Sequence, residues 1–218
     1  MKKMLAQFML LFIFVVASAA CSAGHDGEGT SALPLSSPPV VQPPAATPTP
    51  ELQPATAKQT AEAIITALKN KDHQALVSYI HPDKGVLFSP YAHIDTASAK
   101  VFNADELPQL DDSTVYYWGD YDGSGEAISL TYGRYYDKFV YDQDFAAAET
   151  VNIDTIVGKG NSLINIEEVF PGSTTVEYHF SGFDPQYEGM DWESLILVLE
   201  LDGSDWHLSA IVHSSWTI

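Results

Sequence analysis

Apolar and polar positions divide the chain into three stretches of different pattern. Met4 to Ala17 is apolar apart from Gln7, and Ser22 to Ala57 has no period. From there onward helical and strand periods alternate. Thr56-Ala57-Lys58-Gln59 has capping-box spacing, and Ala61, Ile64, Ile65 and Leu68 follow at helical intervals. Asn70-Lys71-Asp72 interrupts this helix, and Asp72 can cap a second one carrying Ala75, Leu76, Tyr79 and Ile80 before Pro82. Val86 and Phe88 alternate as in a strand, and Asn103 to Glu106 predicts a short helical turn. Val115 to Tyr121 and Ala127 to Leu130 read as strands around a glycine-rich turn. Tyr132, Tyr135, Tyr136, Phe139 and Val140 then form one aromatic helix face, with Thr131 as its cap.

The last third is the most strand-like. Val176, Tyr178 and Phe180 share a face, while Trp192 to Leu201 is apolar on both faces, as a strand inside a sheet must be. Asp202 to Asp205 supplies a hairpin turn. On the returning strand, strict alternation puts Trp206, Leu208, Ala210 and Val212 on one side and His207, Ser209, Ile211 and His213 on the other. Helices first and antiparallel strands last predict an α+β fold. A helical pair and the aromatic-faced helix pack on a curved, mainly antiparallel sheet.

The first two stretches concern location. Lys2 and Lys3, the apolar run and Ser18-Ala19-Ala20 have the layout of a secretory signal peptide over residues 1–20, too short for a membrane span. Cys21, the single cysteine, follows two alanines as in the lipobox of bacterial lipoproteins, although Ser18 stands where that motif usually has leucine. The expected product is lipid-anchored at Cys21 outside the cytoplasm, with the membrane as its first partner; a secreted protein is the alternative. Residues 21–56 are rich in proline, including Pro34, Pro38, Pro39, Pro43 and Pro44, and predict a disordered spacer. Fully extended, such a spacer reaches about 110 Å. Residues 57–218 then make one domain. With 29 acidic against 10 basic residues and a formal charge of -19, nucleic acid is excluded as a partner. With Cys21 lipidated, no thiol is left for a disulfide or thiolate site.

Leu68 to Asp72, His81 to Val86, Trp118 with Asp122-Gly123-Ser124-Gly125, Gly189 to Trp192 and the ending His213 to Ile218 resemble a family of exported proteins and lipoproteins of Bacillus-like bacteria. No biochemical role comes with that resemblance. The layout of a helical pair before a bent sheet is similar to nuclear transport factor 2-like cone folds. These host isomerases, dehydratases and binding modules alike, so the likeness selects no activity.

Candidate chemistry is sparse. Asp120, Asp122, Ser124 and Glu126 place oxygen side chains at alternate positions, as in the first half of a calcium loop. Thr131 stands where the closing glutamate belongs, so an acidic turn is the competing reading. Asp142 and Asp144 are further oxygen ligands in sequence range, or a solvated helix end. Tyr116, Trp118, Tyr135, His179, Trp192 and His207 are candidates for an aromatic ligand pocket suited to a small molecule or cell-wall glycan. His81, at a helix end before Pro82, suits a structural hydrogen bond. A hydrolase or isomerase using a histidine–carboxylate pair is the alternative, with Asp95, Glu177 and Asp191 as carboxylates. No HExxH, GxSxG or P-loop pattern occurs. The reading that follows is an envelope lipoprotein presenting a non-catalytic binding domain; a calcium-dependent surface module is the third option.

Overall fold

The computed structural model describes residues 55–217. The signal peptide, Cys21 and the spacer as far as residue 54 lie outside the described residues. Helix α1 (Ala57–Lys69) starts where Thr56 and Gln59 cap one another reciprocally. Lys71 takes a left-handed φ of 53° and turns the chain. Asp72 then accepts from the Ala75 amide at 3.0 Å to cap α2 (His73–Tyr79). His81 does not serve the helix carbonyls: its Nδ1 accepts from the amides of Asp83 and Lys84, closing the turn after Pro82.

Strands β1 (Val86–Ser89) and β2 (Lys100–Phe102) follow, then the hairpin β3 (Val115–Asp120) and β4 (Ala127–Thr131). Asn103 to Glu106 forms a turn between β2 and β3, closed by the Asn103 side chain on Glu106, and no helix. Thr131 caps α3 (Tyr132–Phe139) through the Arg134 amide. Strand β5 (Thr150–Ile153), the single helical turn α4 (Ile166–Val169), and strands β6 (Thr174–Phe180), β7 (Glu193–Asp202) and β8 (Asp205–Ser215) complete the domain. The fold is α+β, with a curved and mainly antiparallel sheet. Six strands run in the order β2-β1-β8-β7-β6-β5, and the β1–β8 pair is parallel; β3 and β4 pair separately. Among the described residues no helix is long and apolar enough to cross a membrane.

The reason the last strands are apolar on both faces is that both faces are covered. Leu195, Leu197 and Leu199 of β7 enter the main core with Ile64, Ile65 and Leu68 of α1 and the aromatic face of α3. Burying each of these side chains stabilises the fold by about 1.5–3 kcal/mol. Ile196 and Val198 face a second cluster with Leu87, Ile94, Ile166, Ala210 and Val212, covered by the segment that carries α4.

Strict alternation fails on β8. Leu199 pairs with Leu208 but Val198 pairs with Ala210, so Ser209 is an extra residue in a β-bulge. Leu208 and Ile211 therefore both enter the main core, while Ala210 and Val212 turn to the second cluster. The Ser209 hydroxyl bonds Glu200, the residue Lys84 also holds at 2.6 Å.

Candidate functional site

A cleft of about 500 Å³ opens where β1 ends and the β3–β4 turn approaches it. That size falls within the ordinary range of small-molecule sites. At the end of β1 the Ser89 hydroxyl donates to the Tyr91 carbonyl at 2.7 Å and bends the chain outward. The following segment carries His93 and Asp95 into the cleft wall. Asp95 is fixed by its own loop: Ser98 Oγ donates to Oδ2 at 2.7 Å and the Ala97 amide to Oδ1 at 3.0 Å. These bonds, that of Ser98 first, hold its carboxyl below the usual carboxylate range.

The opposite wall is the β3–β4 turn. Asp120 and Asp122 line the cleft, together with Trp118 and Gly119 of the same hairpin. The Tyr91 hydroxyl accepts from the Asp122 amide at 3.0 Å and ties the two walls together; burial raises the Tyr91 pKa. Tyr117 donates to Asp120 Oδ1 at 3.0 Å. Three carboxylates and His93 line this cleft, with no lysine or arginine among the lining residues. Its field favours cations.

Of the four loop positions with calcium-like spacing, Asp120 and Asp122 reach the cleft, while Ser124 and Glu126 are not among its lining residues. Ser124 Oγ accepts from the Glu126 amide and Asp122 Oδ1 from the Gly123 amide, both local turn bonds. The Tyr121 amide and the Glu126 carbonyl close the turn at 2.7 Å. Asp144 is taken by Lys69 at 2.7 Å and by the Tyr141 hydroxyl.

The six residues proposed for an aromatic pocket separate into three places. Trp118 stacks on Tyr135 with ring centroids 3.8 Å apart, and Tyr116 meets Trp118 edge-on. Trp118 and Tyr135 are core side chains, 1% and 0% exposed; Trp118 also borders the acidic cleft but shows it almost no surface, and Tyr135 is not among the lining residues. His179 lies beside Trp192 with ring centroids 5.9 Å apart. His207 packs against His81 instead. His179 is opposite Ser194 and His207 opposite Glu200, which separates them by about 20 Å along β7. Period placed Tyr116 and Trp118 on a strand and Tyr135 on a helix face, and the domain packs Trp118 and Tyr135 inward.

His179 belongs to a buried network. Its Nδ1 meets Ser194 Oγ at 2.8 Å, and Ser194 donates to Glu177 Oε1 at 2.9 Å. Glu177, 0% exposed, also accepts from the amides of Val157 (2.7 Å) and Gly158 (3.0 Å) and from the Asn152 side chain. The serine stands between imidazole and carboxylate and donates to the carboxylate, so the histidine is not placed to take its proton. This network staples the segment after β5 to β6. Asp191 Oδ2 likewise accepts from the Phe183 and Asp184 amides, in a turn.

Among the described residues the direct histidine–carboxylate contact is elsewhere: His213 Nε2 lies 3.1 Å from Asp142 Oδ2. Glu193 completes this group, and one ligand atom from each residue falls within 4.8 Å of the others. Burial pushes the Glu193 carboxyl up, Asp142 adds to the shift, and His213 opposes it. The sequence offered Asp142 as a further loop ligand or a solvated helix end, and did not single out Glu193. The signal that joins them is the register of β7 with β8, which sets Glu193 opposite Ser215 and so diagonal to His213 on one face. The chain matches no protein-family model, no curated protein and no solved structure with which it was compared.

Proposed function

We propose that this protein is an envelope lipoprotein, anchored by lipid on Cys21, whose domain binds a cationic small molecule in the acidic cleft without chemistry on it. The observation that carries the binding reading is the lining itself: Asp95, Asp120 and Asp122 with His93 and no basic side chain, in about 500 Å³. Tyr91 and Tyr121 give that cleft half-buried aromatic edges. Amine groups suit such a lining, through charge-assisted hydrogen bonds to the carboxylates and cation–π contact with the tyrosines. Free amines of wall peptides, amino sugars and polyamines share this chemistry. The signal-peptide layout, the lipobox-like Cys21 and the spacer support presentation outside the membrane. The helical pair before the bent sheet supports the likeness to nuclear transport factor 2-like cones, as part of the same proposal.

A calcium-dependent reading has one observation in its favour, that Asp120 and Asp122 share the cleft with Asp95. The enzyme reading asks for a histidine–carboxylate pair in a cleft: His93 and Asp95 both line this one without a hydrogen bond between them, and the bonded pair His213–Asp142 is not among the lining residues. A panel of diamines, polyamines, amino sugars and calcium, screened by chemical-shift changes in the full-length chain in detergent, tests the binding reading. Shifts clustered at His93, Asp95 and Asp122 with amines support it, and calcium-specific shifts favour the surface module. A panel without any effect at these residues contradicts both. For the anchor, Cys21→Ser is expected to move the protein from the membrane fraction to the medium.

A further inference from the structure

We propose that Asp142, Glu193 and His213 bind one divalent cation of the zinc class, at a site separate from the acidic cleft. The three side chains come from different parts of the chain: the segment after α3, the first residue of β7 and the third-last residue of β8. They meet only in the folded domain, with one ligand atom each inside 4.8 Å.

Hydrogen bonding, including that of the Gln143 side chain with Glu193, accounts for only part of this group. His213 is 5% exposed and Asp142 18% exposed at the side chain, and the one bond between them uses Asp142 Oδ2. Asp142 Oδ1, Glu193 Oε2 and His213 Nδ1 are all buried without a partner. Buried polar atoms of native proteins nearly always have one, and a charged oxygen without a donor is the costlier exception. No lysine or arginine pairs with either carboxylate among the described residues. A divalent cation held by His213 Nε2 and the two carboxylates neutralises both of them and gives the orphaned carboxylate oxygens a partner; His213 Nδ1, on the far side of the ring, is not a ligand.

The donor set selects the ion. One imidazole and two carboxylates are the nitrogen and oxygen ligands of zinc sites, three protein ligands that leave a further position open. Calcium needs 6–8 oxygen ligands, more than two carboxylates supply. At bond lengths of about 2.1 Å, tetrahedral donors stand roughly 3.4 Å apart. The Asp142–His213 pair already has that spacing at 3.1 Å, and Glu193 closes on them by rotating its long side chain. Phe139 lies edge-on against His213, ring centroids 5.6 Å apart, and also packs against Tyr91 and Tyr121 of the cleft wall. The ion therefore sits one side chain behind the cleft and braces its wall.

The test uses the full-length chain in detergent, stripped with EDTA and dialysed against zinc, with manganese and calcium in parallel. The expected result is one zinc retained per chain, a higher melting temperature with zinc than in EDTA, and no retained calcium. Asp142→Asn and Glu193→Gln keep side-chain shape and are each expected to weaken zinc binding at least tenfold, with unchanged circular dichroism. Asp122→Asn, in the cleft, is expected to bind zinc as the wild type does. No retained zinc, or equal zinc affinity in wild type, Asp142→Asn and Glu193→Gln, overturns the proposal.

Discussion

Replacing Glu177 by glutamine tests whether the buried network holds the segment after β5 in place. The carboxylate accepts four hydrogen bonds, from the Val157 and Gly158 amides, Ser194 Oγ and Asn152 Nδ2. Glutamine keeps the shape and one oxygen. With that oxygen toward Gly158 and Ser194, its NH₂ faces the Val157 amide and the Asn152 side chain. Asn152 can flip its amide to accept, but a backbone N–H cannot. One buried N–H without an acceptor costs about 1–3 kcal/mol. Two bonds that change from charged to neutral lose about half their strength, roughly another 1 kcal/mol together. The sum is a destabilisation of about 2–4 kcal/mol, a fall in Tm of several degrees for a domain this size. Urea unfolding of wild type and Glu177→Gln, at one pH and salt, measures it. Amide exchange is expected to quicken at Val157 and Gly158 before other positions. A loss below about 0.5 kcal/mol, with exchange at these two amides unchanged, refutes the reasoning.

Two further outcomes follow from packing and titration. A Cβ on Gly133 would stand 2.1 Å from the Leu110 carbonyl oxygen, a backbone atom with little room to move. Gly133→Ala is therefore expected to cost about 1–3 kcal/mol in a thermal melt, despite the better helix propensity of alanine. Burial raises the hydroxyl pKa of Tyr132, Tyr135, Tyr136 and Tyr178, and pushes that of Tyr141 up to about 12. Between pH 10 and pH 12 the unfolded chain then binds fewer protons than the folded one, so stability falls as pH rises through this window and is flat just below it. Urea midpoints from pH 8 to pH 11.5 check the sign, and Tyr141→Phe is expected to lessen the fall.

What the sequence discloses about this fold is mostly local. The capping box at Thr56, the cap at Asp72 and the cap at Thr131 involve residues three apart, and each forms as its spacing predicts. The aromatic face of α3 is equally legible, because Tyr132, Tyr135, Tyr136 and Phe139 need only a helical period to share a side. The bulge at Ser209 is not legible. Period-two alternation has no term for an inserted residue, and a single one sends Ala210 and Val212 to the other face of the sheet.

The candidate sites show the same division. Asp120 and Asp122 stood out by oxygen spacing, and both line the cleft; what brings Asp95 and Tyr91 opposite them is the path of a loop, which no periodicity encodes. Tyr116, Trp118 and Tyr135 carried a true aromatic signal that served packing, with Trp118 and Tyr135 face to face in the core. The group at Asp142, Glu193 and His213 required three distant segments in register at once. Asp142 drew notice as a further ligand for the acidic loop or a solvated helix end, while the residue it meets is His213, 3.1 Å away.

The most direct test of the acidic cleft is an isothermal titration of the full-length chain in detergent with spermidine. The comparison is the double variant Asp95→Asn, Asp122→Asn: the amide oxygens can still accept from the Ala97 and Gly123 amides, and the new NH₂ at position 95 can donate to Ser98 Oγ once that hydroxyl turns. Saturable binding to the wild type, at least tenfold weaker in the double variant and weaker again in high salt, is the predicted result; tenfold corresponds to about 1.4 kcal/mol. Equal binding by the two proteins, or none by either, contradicts the cleft as a site for cations.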